Sequence, residues 1–286
     1  MRFRRCFFFC SLVIGGLFLI EPSAQAGAWL APRQGGIAIV TSSLAQSRKI
    51  YDARGRAVPS PSYRTGGAQL YLEYGVTDSL TLVGEANYMD FVGAADPAVN
   101  IYAAVEAARA RLPVLQRPAQ GPAYAGLGLG AGGVRFPLAR GADYVVSFQA
   151  SARGASPAAR RFLDMRAPAQ LDARVLHGRA FRFAGLDGFF DAQIGLRTGG
   201  QNGVEARLDL TAGLWIAPAL MAMAQSFSAF TPRGGTAGSV GMQRFQASAV
   251  YEMTPRIAVQ IGASGVLAGV NAPSERGGFA ALWWRY

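Results

Sequence analysis

Cysteine, histidine and lysine are nearly missing from this sequence. The two cysteines, Cys6 and Cys10, both fall in the apolar run at the N-terminus. If that run is removed on export, no disulfide and no thiolate metal site is left. His177 is the single histidine and Lys49 the single lysine. Long apolar runs are also missing after the first 26 residues. The nearest, WIAPALMAMA, is cut by Pro218, so a transmembrane helix is excluded there.

The first residues, MRFRRCFFFCSLVIGGLFLI, set Arg2, Arg4 and Arg5 before an unbroken apolar stretch. EPSAQA follows, with Ala24 and Ala26 in a small-x-small pattern. This reads as a secretory signal peptide over 1–26, cleaved after Ala26, with 27–286 as the mature domain. The alternative is an N-terminal anchor, but the run is short for a span. No cysteine stands at the cleavage point, as a lipoprotein would require. The whole chain carries a formal charge of +11. Removing the signal takes away three arginines and Glu21, so the mature chain stays basic, almost wholly through arginine. An exported basic chain suits anionic lipid headgroups or anionic solutes. Nucleic acid is not expected as a partner, because no basic helix or reading motif is present.

The chain is 51% hydrophobic with 36 glycines and only 16% charged residues. Its apolar residues alternate. In VEARLDLTAGLW, Val204, Ala206, Leu208, Leu210, Ala212 and Leu214 alternate with Glu205, Arg207, Asp209 and Thr211. AQLYLEYG, FFDAQIGLR and RIAVQIGAS repeat the period of two. The connections VTDS, PLARGA, AGLD, APA and TP are short, and those between them are mostly longer and rich in Arg, Gly and Pro. Short turns at one end and longer loops at the other are the pattern of a transmembrane β-barrel.

Strands are predicted over 34–43, 67–74, 80–91, 123–136, 143–153, 169–182, 188–198, 203–215, 219–230, 241–252, 256–268 and 277–286. The fold class is therefore all-β, an antiparallel up-and-down transmembrane barrel of about 12 strands. Ten or fourteen strands remain alternatives, as does a soluble exported β-protein. Segment 98–116 is assigned to a long external loop, with a short helix where alanine is dense. The Gly-rich strand 123–136 has no clear facing, and a kink or bulge is expected in it.

The chain ends GGFAALWWRY. As a last strand it turns Ala280, Leu282, Trp284 and Tyr286 to lipid, and Ala281, Trp283 and Arg285 inward. Trp284 and Tyr286 then sit in the aromatic girdle. The ending resembles the C-terminal signal read by the outer-membrane assembly machinery. YLEYGVTDSLTL, LDARVLHGRAF, LTAGLWIAPALMAMAQSF and VNAPSERGGFAALWWRY together resemble a group of proteobacterial outer-membrane barrel proteins without a well-defined activity. That resemblance implies a barrel in the bacterial outer membrane. It implies no catalytic residue and no cofactor.

Residue chemistry gives little to an enzyme. Parity puts His177 on the lipid face and Ser147, Ser151 and Ser248 inward, so no His–Ser dyad forms. Arg207 lies between Glu205 and Asp209 on one face and is expected to pair with them, leaving no metal site there. A calcium site in the loops stays open, although Asp52, Asp96, Asp143 and Asp164 are scattered. GLGLGAGG does not sit between a strand and a helix as a phosphate loop would. The inward charges are the better lead: Arg174, Arg182, Arg197, Arg207, Arg244, Asp191, Glu205 and Asp209, with Glu73, Glu85, Asp172, Glu252 and Arg285. Gln149, Gln193, Gln246 and Gln260 accompany them. Such a lumen suits a narrow, porin-like channel for small polar or anionic solutes. A closed barrel for structure or surface interaction is the alternative, and a barrel-type lipid hydrolase the third. In loops 44–66 and 154–168, Arg48, Arg54, Arg56, Arg160 and Arg161 are expected to contact lipopolysaccharide phosphate.

Overall fold

The period of two becomes one continuous antiparallel sheet. The computed structural model describes residues 27–93, 123–162, 169–200, 203–232 and 239–286. Twelve long strands run in chain order: β1 (Gly36–Tyr51), β2 (Ala57–Thr77), β3 (Leu80–Gly93), β4 (Ala123–Arg140), β5 (Tyr144–Ala155), β6 (Ala169–Phe183), β7 (Leu186–Gly200), β8 (Gly203–Ala217), β9 (Leu220–Thr231), β10 (Val240–Glu252), β11 (Ile257–Val270) and β13 (Arg276–Arg285). The two-residue β12 (Ala272–Pro273) adds to the far end of β1. A six-residue helix, α1 (Pro157–Phe162), follows β5.

Each of the twelve long strands pairs with the next long strand in chain order, and β1 also pairs with β13, in the register Ile37 to Arg285 through Gln46 to Arg276. This pairing closes the sheet and leaves no free edge. Closure continues to the last residue, where Gly36 and Tyr286 exchange backbone hydrogen bonds of 2.9 and 3.1 Å. The terminal aromatic is thus held by β1 and does not fray. Outside, the apolar members of each alternation stand bare: Ile194, Leu208, Ile261, Leu282 and Trp284 are all exposed. A large apolar surface around a closed barrel is what lipid covers.

All twelve predicted strands are present. The region predicted as loop 44–66 is instead a long hairpin, because β1 and β2 run on past the apolar band and only Asp52–Arg56 turns. That extension mixes Leu44, Ile50, Val58 and Tyr63 with polar residues and carries Pro59 and Pro61, so no steady alternation reports it. In β4, Gly128 and Leu129 together oppose Asn87, a bulge in the Gly-rich strand. The Leu129 amide donates to Asn87 Oδ1 at 2.5 Å there. The expected signal peptide 1–26, segment 98–116, Asp96 and Asp164 lie outside the described residues.

The candidate lumen site

The interior has two unlike walls around a cavity of about 500 Å³. One wall, on β3 to β8, is ionic. Arg174 reaches Asp172 at 2.5 Å and Asp209 at 2.9 Å; Arg197 reaches Asp172 at 3.0 Å and Glu205 at 3.2 Å. Arg207 lies 3.5 Å from Asp209 and 4.0 Å from Glu205, so it does stand between its two sequence neighbours, more loosely than its fellows. Arg153 pairs with Glu85 at 2.9 Å. The facing wall, mainly on β9, β13 and β1, presents Ile39, Met221, Met223, Phe227, Phe279 and Trp283.

A denser polar knot lies toward the end that carries both termini. Arg135 is 1% exposed. Its Nη1 donates to Glu73 Oε1 at 2.8 Å and to the Trp29 carbonyl at 3.0 Å. Its Nη2 donates to the Tyr71 hydroxyl at 3.1 Å and to Gln149 Oε1 at 2.8 Å, and Nε to the same Gln149 oxygen at 3.1 Å. Tyr71 in turn donates to Glu73. Sequence reasoning missed Arg135 because it assigns its Gly-rich strand no facing, although Val134, Phe136 and Leu138 alternate around it on the outer face.

The Trp29 carbonyl belongs to a second feature that strand periodicity could not show. Residues 27–34 enter the barrel at its terminal end and lie against the wall. Ala28 donates to Asp191 Oδ2 at 2.7 Å and accepts from Ser147 Oγ at 2.8 Å. Ala31 donates to Thr81 Oγ1 at 3.0 Å. Ala28 packs against Val145 and Leu176, while Trp29 meets the edge of Phe189 at 6.0 Å. Gly178 makes room for the indole: a methyl there would lie 2.6 Å from Trp29 Cζ3. Gly178→Val is therefore expected to push residues 27–31 out of the lumen while leaving the sheet intact. Limited proteolysis of the folded barrel should then cut near Arg33, where the parent resists.

The other expected lumen residues are distributed as follows. Asp191 is buried behind the N-terminal segment. Arg244 bonds Glu275 at 2.5 Å toward the loop end, and Arg285 pairs with Glu252 at 2.9 Å. Arg182 corrects the sequence reading. It is exposed at the β6–β7 turn and pairs with the equally exposed Asp187 at 2.7 Å, because β6 has already left the barrel wall at that point. His177 is on the outer face, 6.4 Å from the Tyr144 ring, whereas Ser147 points inward to Ala28.

The five expected surface arginines are divided between two places. Arg48 is on the hairpin extension, and Arg54 and Arg56 are in its turn. There Arg56 pairs with Asp52 at 2.9 Å. The Arg56 amide bonded to Asp52 holds that carboxyl below its usual range. Arg160 and Arg161 close α1, whose Phe162 continues an aromatic chain of Tyr63, Phe91 and Tyr124 at ring distances of 5.0–5.4 Å. Trp284 lies outward with its ring 5.2 Å from that of Tyr286, whose hydroxyl donates to the Glu73 carbonyl at 2.9 Å.

Known structures share this architecture. The chain is similar to the COG4313 outer membrane channel from Pseudomonas putida F1, with a TM-score of 0.63 and 12% identity over 92% of this chain and 99% of that one. It is also similar to the β domain of the Bordetella autotransporter BrkA, with a TM-score of 0.50 and 13% identity over 88% of this chain and 100% of that one. No family profile matches the sequence, and no curated protein sequence matches it at a significant level. Two walls of opposite character inside a closed twelve-stranded sheet, with a lipid-ready outer surface, make this the fold of an outer-membrane β-barrel.

Proposed function

We propose that the chain is a non-enzymatic outer-membrane barrel giving narrow passage to small solutes that carry a polar or anionic group. The observation that carries this reading is the cavity of about 500 Å³ with guanidinium groups on one wall and apolar side chains on the other. Cavities of that size hold small molecules. A solute with an anionic head and an apolar body satisfies both walls, whereas a bare inorganic anion uses only one. Because most lumen arginines face carboxylates, the anion preference they confer is modest. At the barrel's surface, Arg48, Arg54, Arg56, Arg160 and Arg161 would meet lipopolysaccharide phosphates. The alternation ending in Trp284 and Tyr286 would be read by the assembly machinery.

Planar-bilayer recording of the mature chain in a salt gradient tests the reading. The parent should show discrete steps, weak anion preference and block by small alkyl or aryl carboxylates. Replacing Arg174 and Arg207 together with Ala leaves Asp172 and Asp209 without these cations and should shift the reversal potential toward cations. An unchanged potential would count against a lumen pathway past these residues. A second reading, a closed structural barrel, is favoured by the N-terminal segment across the terminal end. It predicts a silent bilayer from fully folded protein.

A further inference from the structure

Asp191 is a buried carboxylate at 1% exposure, yet among the described residues no side-chain cation pairs with it. Its Oδ1 accepts from Gln193 Nε2 at 2.8 Å and its Oδ2 from the Ala28 amide at 2.7 Å. Both donors are neutral. Arg135 is no substitute, because its five N–H groups go to Glu73, Gln149, Tyr71 and the Trp29 carbonyl. A buried charge in that position calls for a partner of opposite sign.

Gly27 touches this carboxylate. A methyl on its Cα would lie 2.7 Å from Oδ2 and 2.9 Å from Cγ of Asp191, so the Gly27 backbone lies beside the carboxylate. The Gly27 nitrogen is one bond of about 1.46 Å from that Cα. The geometry points to an ion pair between the Gly27 α-ammonium and Asp191 that forms only when the chain is cut after Ala26. Water hydrolyses the Ala26–Gly27 amide. The carboxylate departs with Ala26, and the new amine on Gly27 takes up a proton. Before the cut the same nitrogen is a neutral amide. Export processing would thereby supply the missing cation and lock residues 27–31 into the terminal end of the lumen. The inference rests on cleavage after Ala26, which the experiment reads first.

If that cleavage occurs, the mature chain has two amines, Gly27 and the exposed Lys49, so one labels against the other. The barrel is purified folded from membranes, its N-terminus is read by intact mass, and its amines are reductively methylated with labelled formaldehyde. Methylation needs the neutral amine. Gly27 should lag an unpaired α-amine by about tenfold or more, the factor that one pKa unit of ion-pair stabilisation gives. In Asp191→Asn the lag should vanish. In Ser147→Ala, which removes an uncharged bond to the same segment, it should persist. Should the Asn variant not fold, the parent alone decides from the pH at which Gly27 is half-reactive. The titratable groups near it are Asp191 on β7 and, beyond that, Arg135 on β4 and Glu73 on β2, which pair with each other. An ion pair places the midpoint above the ordinary α-amine value of about 8, and burial alone places it below. A start other than Gly27 overturns the processing step. A correct start with no lag, a lag that survives in Asp191→Asn, or a lowered midpoint overturns the ion pair.

Discussion

Arg135→Ala is expected to destabilise the barrel by about 3–5 kcal/mol, the cost of leaving one member of a buried ion pair behind. Its guanidinium and the Glu73 carboxylate have 2% and 3% side-chain exposure, so water does not screen the pair. Among the described residues, the Glu73 carboxylate would keep only the Tyr71 hydroxyl as a side-chain donor. The Trp29 carbonyl would lose its donor as well, which loosens the N-terminal segment. Urea unfolding in lipid vesicles reads the stability. The double variant with Glu73→Gln should regain part of the loss, since it removes the orphaned charge. Arg182→Ala offers the contrast: its pair with Asp187 is open to solvent, and such pairs contribute little. A loss from Arg135→Ala no larger than from Arg182→Ala would show that water enters the knot and that it is not a dry core.

What could be read from the sequence follows from where lipid imposes a period. Across the apolar band each side chain must choose lipid or lumen, so alternation located all twelve strands, and parity turned Arg174, Arg197 and Arg207 into the lumen. Where lipid no longer acts, the pattern fails. The 44–51 and 57–66 extensions mix apolar and polar residues without a steady period, with Pro59 and Pro61 among them, and read as loop. Arg182 keeps the parity of β6 but has passed out of the wall. In β4 the glycines between 126 and 133 leave few side chains to set a facing, so Arg135 was not assigned, although Val134, Phe136 and Leu138 alternate around it. Residues 27–34, AWLAPRQ after Gly27, have no period at all. The one signal that could have pointed to a covered segment, Trp29 isolated in a stretch without charge before Arg33, was not read.

Removing residues 27–33 from the chain that a cut after Ala26 would leave, so that it starts at Gln34, should raise single-channel conductance several-fold. The segment occupies the terminal end of the lumen through the Ala28, Trp29 and Ala31 contacts, and none of these is part of the strand ladder. Closure of the sheet depends on Gly36–Tyr286 and the β1–β13 register, which the truncation spares. The barrel should therefore still assemble and still shift its mobility on heating in detergent. Deleting the segment also uncovers Asp191 and one edge of Arg135. The wider mouth would expose the Asp191 carboxylate, and the reversal potential should move toward cations along with the rise in conductance. A larger current with unchanged selectivity would mean that ions pass along the apolar wall, away from Asp191. An unchanged current would put the narrowest point at the loop end, near Tyr63, Phe91 and Phe162. The same recording thus decides between a passage that the N-terminal segment gates and a barrel closed independently of it.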